Sequence, residues 1–527
     1  MITHLLSPLI LLSPYLFFGL CALALVVRLL HNKYGHGINH LPGPRLAAYT
    51  DLWRLWIVWG RRAERVHIAL HEKYGPIVRL GPKTVSISDP EAIKTIYALN
   101  SGFVKSGFYP VQQSIAKGRP LESLFNTTDE KYHARLRRAV ANAYAMSTLV
   151  QFEPLVNSTT RAFLHQLKQR FADRDDDDES GICDFGTWLQ YYAFDVIGEL
   201  TFSKRLGFVD RGVDVDSIIA NVEWALGYFA VAGQIPLLDR IFLKNPIRLW
   251  LAKIGLINTT SPVVIFTRER MADRAEAMKE KRDESKASRR DFLSRFIECH
   301  HKDPEFITPE RVLSLAVSNV FAGSDTTAIS LRAIFYFLLR NPSTMQKLLD
   351  EFRQMEEKGV FRPDDPLVQW NDVRDLPYLS AVIKEALRCH PAVGLVLERI
   401  VPPSGVTVAG TFLPGGTNVG CSAWTVHRDK NIFGPDPDVF RPERWIEASE
   451  AKKSEMNSYL FAFGAGARTC SGKNISLLEM HKLVPAVLKS FEISLAYPER
   501  EWKLRNAWFV KQSEFYVRFK TRKTPTS

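Results

Sequence analysis

The chain of 527 residues is 46% hydrophobic and carries 32 phenylalanines, enough for a sizeable core and an apolar pocket, which excludes global disorder. Its net charge of +12, from 69 basic and 57 acidic residues, comes without an aromatic-interleaved basic stripe, so an acidic membrane or acidic protein is the expected partner and nucleic acid is not. Six cysteines without paired spacing argue against a disulfide framework or a zinc site and suit a reducing, cytosol-facing environment.

From Leu5 to Val27 there is no charged residue, a length that crosses a hydrocarbon core of about 30 Å as a helix. Arg28, Lys33 and Arg45 follow this run, while only His4 and the terminal amine precede it. The positive-inside bias therefore predicts a lumenal N-terminus and a cytosolic remainder. No basic segment or small-residue cleavage site marks a removable signal. Residues 1–30 are expected to form a transmembrane anchor and 31–45 a linker that closes on the stiff elbow Leu41-Pro42-Gly43-Pro44. Residues 46–527 read as one domain, since no Gly/Ser-rich linker or repeat divides them.

In that domain Pro76 to Ser88 reads as a short hairpin around Gly81-Pro82, a small β lobe ahead of the helices. Helical patterning dominates from Lys131 to Leu256, broken at Asp173 to Ser180 by an acidic run that reads as a solvated loop. Thr267 to Arg290 mixes both charges at helical spacing, the pattern of a surface helix and an exposed connection. Thr308-Pro309-Glu310 supplies cap, N1 proline and first-turn acid to a long apolar helix that runs to Arg340 and stops at Asn341-Pro342. Inside it, Ala322-Gly323-Ser324-Asp325-Thr326-Thr327 interrupts the apolar face. The two small residues leave room for a ligand, and the acid and alcohol can pass protons inward.

Near the end of the chain, Phe463-Gly464-Ala465-Gly466-Ala467-Arg468-Thr469-Cys470-Ser471-Gly472 sets one cysteine in a glycine-punctuated loop ahead of a helical segment. A thiolate on iron needs backbone N–H groups curled round the sulfur, and Gly464, Gly466 and Gly472 give the backbone that freedom. A helix N-terminus favours the negative sulfur. Arg468 is placed to meet a haem propionate, and Phe463 to wall the ligand side of the macrocycle. Cys470 is thus the expected axial ligand of a haem iron.

This loop resembles that of the cytochrome P-450 family, Phe-x-x-Gly-x-Arg-x-Cys-x-Gly, at every fixed position. The resemblance implies a mainly α fold with a small β lobe, here preceded by one N-terminal transmembrane helix, and haem b (iron protoporphyrin IX) as cofactor. It implies that Thr326 and Asp325 deliver protons to the oxygen side and that dioxygen lies in the groove at Ala322 and Gly323. It further implies a buried structural cluster of Glu385, Arg388 and Arg444, the last from Phe440-Arg441-Pro442-Glu443-Arg444-Trp445. Arg137, Arg399 and His133 become propionate partners, with His133 standing where the family commonly has Trp. The implied substrate wall, Phe103 to Phe125, Val317 to Ala322, Val393 to Leu397 and Trp508 to Val510, is mostly apolar, with Lys105 and Lys117 as exceptions.

The resemblance is strongest to fungal microsomal members, with a similarity to pisatin demethylase-like enzymes. The implied activity is a monooxygenase of the endoplasmic reticulum membrane that takes electrons from an NADPH-cytochrome reductase. It would insert one atom of O2 into a lipophilic small molecule by hydroxylation, epoxidation or oxidative demethylation, in specialised metabolism such as that of a terpenoid or polyketide. Detoxifying demethylation of a plant phenolic and redox-independent haem-thiolate isomerisation are the alternatives.

Overall fold

A computed structural model describes residues 3–175, 178–280 and 291–522. The N-terminal helix Thr3–Tyr34 passes through Pro8 and Pro14 and extends four residues beyond the expected 1–30 anchor. Its stretch Tyr15–Tyr34 has a mean hydropathy of 1.7 and is not buried against the rest of the protein. Beyond it the linker is held, not loose. Arg79 donates to the carbonyls of Asn32 (2.7 Å), Lys33 (3.1 Å) and Ile38 (3.4 Å), capping the end of the helix. The elbow needs Gly43 because a Cβ there would stand 2.4 Å from the Arg79 carbonyl oxygen.

The hairpin forms from strands Ile77–Arg79 and Thr84–Ile87 and grows into a five-stranded sheet. Asn418–Gly420 joins parallel to Thr84–Ile87, then Arg399–Ile400 and Val104–Lys105 add antiparallel. That register sets Lys105 directly opposite Arg399.

The long helix Pro309–Arg340 runs through the main core, with the Thr308 side chain capping the Arg311 N–H. Helix Phe185–Phe202, buried along nearly its whole length, lies against it. Gly323 permits that approach, since a Cβ there would meet Ile197 at 2.9 Å. The smallness of Gly323 thus serves helix packing, at a position that keeps some accessible surface beside Ala322.

The described part of the acidic run is mostly exposed, as expected of a solvated loop. Its ends are also bonded to the last strand: Asp173 accepts from the Thr521 N–H (2.8 Å) and hydroxyl (2.6 Å), and Arg518 donates to the Asp178 carbonyl (3.0 Å). Residues 176–177 of the run lie outside the described residues. The charged surface helix spans Pro262–Glu280, and the expected connection at 281–290 also lies outside them.

Candidate active site

The Cys470 loop is two single turns, Phe461–Phe463 and Gly466–Arg468, leading into helix Lys473–Ser490. Gly464 (φ 68°) and Gly466 (φ 62°) occupy backbone conformations that disfavour side chains. Gly466 is further fixed by contact, because a Cβ there would fall 1.6 Å from the Tyr97 carbonyl oxygen. Gly472 differs from its expected role: its φ is −82°, and it matters as the helix N-cap whose N–H, with that of Lys473, is directed at the Cys470 sulfur. The Cys470 N–H donates to the Phe463 carbonyl (2.9 Å), closing the loop.

Burial pushes the Cys470 thiol up, while the two N–H groups, Arg137 and Lys473 pull it down without overcoming burial. The expectation that loop and helix dipole favour a thiolate is therefore only partly met by the protein itself, and a coordinated metal cation would supply the remainder. The residue is deeply enclosed yet accessible to a water-sized probe, as a residue lining an interior cavity is.

Around this loop gathers a set of cations. Arg468 pairs with Glu130 at 2.7 Å and donates to the Leu124 (3.1 Å) and Thr127 (3.2 Å) carbonyls. Arg399 donates to the Tyr109 hydroxyl (3.2 Å), with its guanidinium 4.9 Å from the Tyr97 ring centre. His133 is buried, which settles it as an interior residue. Burial, then the charges of Arg468, Lys105 and Arg137, lower its pKa to about 3, so its imidazole is neutral. Arg137, expected as a propionate partner, has part of its guanidinium engaged by the cysteine loop. Its Nη1 donates to the Ala467 (3.0 Å) and Thr469 (2.7 Å) carbonyls and clamps the cysteine loop from helix Glu130–Val140.

Lys105, read from the sequence as a substrate-side exception, joins this cluster instead. It donates to the Phe125 carbonyl and lies 4.1 Å from the Tyr109 ring centre and 4.3 Å from that of Phe125. Burial, then Arg399 and Arg468, hold its ammonium well below the usual lysine range. Like charges directly opposite on paired strands are destabilising, so buried Lys105 and Arg399 call for an anion between them. A dianionic group close to a thiolate site meets that need, and haem with its two carboxylates is such a group.

The opposite wall comes from the long helix. Ala322 and Thr326, one turn apart, share an accessible face in the middle of this otherwise buried element, and the Thr326 hydroxyl donates to the Ala322 carbonyl at 2.9 Å. Thr327 bonds Ser476 at 3.2 Å, tying the wall to the helix that follows Cys470. Asp325 is not brought to Thr326: its carboxyl accepts from the Gln190 side-chain amide. Burial raises its pKa, opposed by Lys511 and Arg332.

Aromatic side chains of the expected substrate wall pack against one another. Phe108 stacks near Trp508 at 4.9 Å, Tyr109 meets Phe125 at 5.6 Å, and Val393 pairs with Phe509 across a β-bridge.

Behind the cysteine loop the structure brings Glu385, Arg388 and Arg444 together. Glu385 accepts from Arg388 Nε (2.9 Å) and Nη2 (2.8 Å), Arg444 Nε (2.8 Å), Trp445 Nε1 (2.8 Å) and the Arg441 N–H (2.9 Å). His427, which no sequence pattern singles out, completes this support. Its Nδ1 donates to the Arg388 carbonyl (3.0 Å), which leaves Nε2 free to accept the Phe461 N–H (2.8 Å) at the start of the loop.

The cytochrome P-450 family model matches residues 50–517. The chain is 43% identical over 489 residues to cytochrome P-450 monooxygenase cicH of Emericella nidulans, covering 92% of this chain and 94% of that relative. It is 44% identical to a cytochrome P-450 monooxygenase of Aspergillus terreus, over 87% and 90% of the two chains. It is 40% identical to cytochrome P-450 monooxygenase mpaDE of Penicillium brevicompactum, over 90% of this chain and 54% of the longer relative. The chain belongs to the cytochrome P-450 family. It is accordingly a haem-binding monooxygenase, an oxidoreductase, and dependence on a reductase for electrons is general to its family.

Proposed function

We propose that this monooxygenase inserts one oxygen atom into a lipophilic small molecule of specialised metabolism, by hydroxylation, epoxidation or oxidative demethylation, at the cavity between the Cys470 loop and the Ala322–Thr326 face. The observation that carries this reading is one accessible cysteine in a glycine-fixed loop together with the buried cations Lys105, Arg399 and Arg468. Haem held through Cys470 supplies the activation of O2 and the C–H oxidation.

The chain's own residues do the rest. The N–H groups of Gly472 and Lys473 steady the sulfur, and Lys105, His133, Arg399 and Arg468 take the cofactor's carboxylates. Phe463 would wall the ligand side of the cofactor, and Ala322 would keep the opposite side open. The Thr326 hydroxyl, whose one proton is held by the Ala322 carbonyl, would have to turn away from that carbonyl to donate into the open face, with Asp325 as the acid that replenishes the proton. Phe108, Phe125 and Trp508 exclude water and select an apolar substrate.

Residues 1–34 anchor the enzyme in the endoplasmic reticulum membrane with a lumenal N-terminus and a cytosolic catalytic domain that meets an NADPH-cytochrome reductase. Exposed Trp56, Trp59, Phe242, Ile247, Trp250 and Leu256 support a membrane-facing side on that domain. The test is incubation of membranes carrying the chain and a reductase with NADPH, heavy-isotope O2 and a lipophilic fungal extract, read by mass spectrometry. A labelled product that disappears in Cys470→Ala is expected; an unlabelled, NADPH-independent product would overturn the reading. In Thr326→Ala, NADPH electrons should drain into peroxide while haem remains bound.

A further inference from the structure

Arg61 follows helix Leu52–Trp59, and Arg505 lies on strand Lys503–Ala507. Both guanidiniums reach the hollow left by Gly227 on helix Ile218–Ala232. A Cβ there would stand 3.4 Å from Arg61 Nη2, 3.8 Å from Arg61 Nη1 and 3.8 Å from Arg505 Nη2. Arg61 Nη1 donates to the Gly227 carbonyl (3.1 Å). Among the described residues neither arginine has a carboxylate partner. Glu64, the acid nearest Arg61 in sequence, is taken by Arg62 (2.8 Å) and Asn506 (2.9 Å).

Two like charges sharing one hollow repel, and burial together with Arg505 holds the Arg61 guanidinium below the usual arginine range. The chain nevertheless fixes the arrangement. Arg61 adopts φ 60°, the left-handed conformation that glycine most often takes just after a helix, and its carbonyl is held by the Asn506 N–H (2.7 Å). Packing gives no reason to bring two unpaired cations together. An oxyanion between them does, because each guanidinium offers a fork of donors to a pair of oxygens. The surroundings point to the source of that anion. Trp59 lies two residues before Arg61, Trp56 one turn earlier and Trp224 one turn before Gly227, and all three indoles are exposed. Indole rings gather at the level of lipid headgroups, with one edge apolar and the other wet.

We propose that Arg61, Arg505 and the Gly227 hollow form a binding site for the phosphate diester of a membrane phospholipid, with Trp56, Trp59 and Trp224 against its glycerol and upper acyl chains. None of these residues belongs to the candidate active site or to the N-terminal helix, so the site docks the catalytic domain on the bilayer at a second point. The choice of a lipid as source rests on the membrane-facing side proposed above.

The experiment is native mass spectrometry of the haem-loaded full chain in detergent, titrated with dioleoyl phosphatidylglycerol, with dioleoylglycerol or with inorganic phosphate. One phosphatidylglycerol should stay bound where dioleoylglycerol does not. Arg61→Gln and Arg505→Gln should each weaken its retention about tenfold, with the carbon monoxide difference spectrum unchanged. Lys358→Gln, an equal loss of charge elsewhere, should leave retention as it was. Arg505 is exposed on a strand, so Arg505→Gln carries the test if Arg61→Gln fails to fold. Undiminished retention in the arginine variants, an equal loss in Lys358→Gln, or equal retention of the two lipids would overturn the proposal. Inorganic phosphate binding as tightly as phosphatidylglycerol would overturn the lipid source and make this a site for free phosphate. A wild-type chain that fails to float with vesicles would instead overturn the membrane-facing reading and leave the phosphatidylglycerol result standing.

Discussion

Glu385→Gln removes one charge and almost no volume from a site with no solvent exposure. Burial works against the Glu385 charge, but Arg388 and Arg444 outweigh it and hold the pKa below the ordinary range. In the variant two guanidiniums, 1% and 4% exposed, keep only Asp436, 3.1 Å from Arg444, as a carboxylate partner. Breaking a buried pair by losing one member costs about 3–5 kcal/mol, a large share of the roughly 5–15 kcal/mol that holds a domain folded. The damage has a path to the cofactor loop, from Arg388 through His427 to the Phe461 N–H. Urea unfolding followed by tryptophan fluorescence should show the loss, and haem per chain with the carbon monoxide difference spectrum should show a disordered thiolate site. A Glu385→Gln protein with an unchanged unfolding midpoint and an intact thiolate spectrum would refute the reasoning.

Gly466→Ala, which drives a Cβ into the Tyr97 carbonyl, should yield no haem-loaded protein. Gly464→Ala meets nothing nearer than 3.8 Å and should cost only about 1–3 kcal/mol of backbone strain, a contrast visible in cofactor content. Glu479 is fully buried with both carboxylate oxygens unpartnered among the described residues, and burial holds its pKa well above the usual range. The unfolded chain ionises there above about pH 4.5 and the folded one does not, so the native state loses about 1.4 kcal/mol per pH unit upward. Glu479→Leu should flatten that slope in chemical denaturation at pH 5 to 8. His427, lowered by burial to about 3, acts at the other end: between pH 6.5 and about 3 the unfolded chain binds the proton that the folded chain refuses, so stability falls with acid. His427→Asn should reduce that acid sensitivity, read as the pH dependence of the urea midpoint.

Local chemistry makes much of the site legible. The glycine spacing around Cys470 and the small and alcohol residues from Ala322 to Thr326 are written in consecutive positions, so the chain alone places them. Contacts between distant segments are less readable. Nothing near Gly323 in the sequence says that Ile197 will press on it, and nothing near Lys105 says that strand register will set it across from Arg399. Arg137 has the residue type of a carboxylate ligand; only the fold shows two loop carbonyls within its reach. His427 and Gln190 carry no pattern of their own, since their work depends on partners at Phe461 and Asp325.

The facing pair of Lys105 and Arg399 has a consequence for biogenesis. The edge strand Val104–Lys105 closes on its inner neighbour Arg399–Ile400 at a point where a charged Lys105 is disfavoured by burial and by Arg399, and a dianion offsets that cost. The cofactor then acts as a counter-ion for folding as well as a reagent, and whatever binds only the native state stabilises it by mass action. The amount of mature enzyme in a cell should therefore follow haem supply, with the chain made in haem shortage left open at its β lobe and exposed to proteolysis.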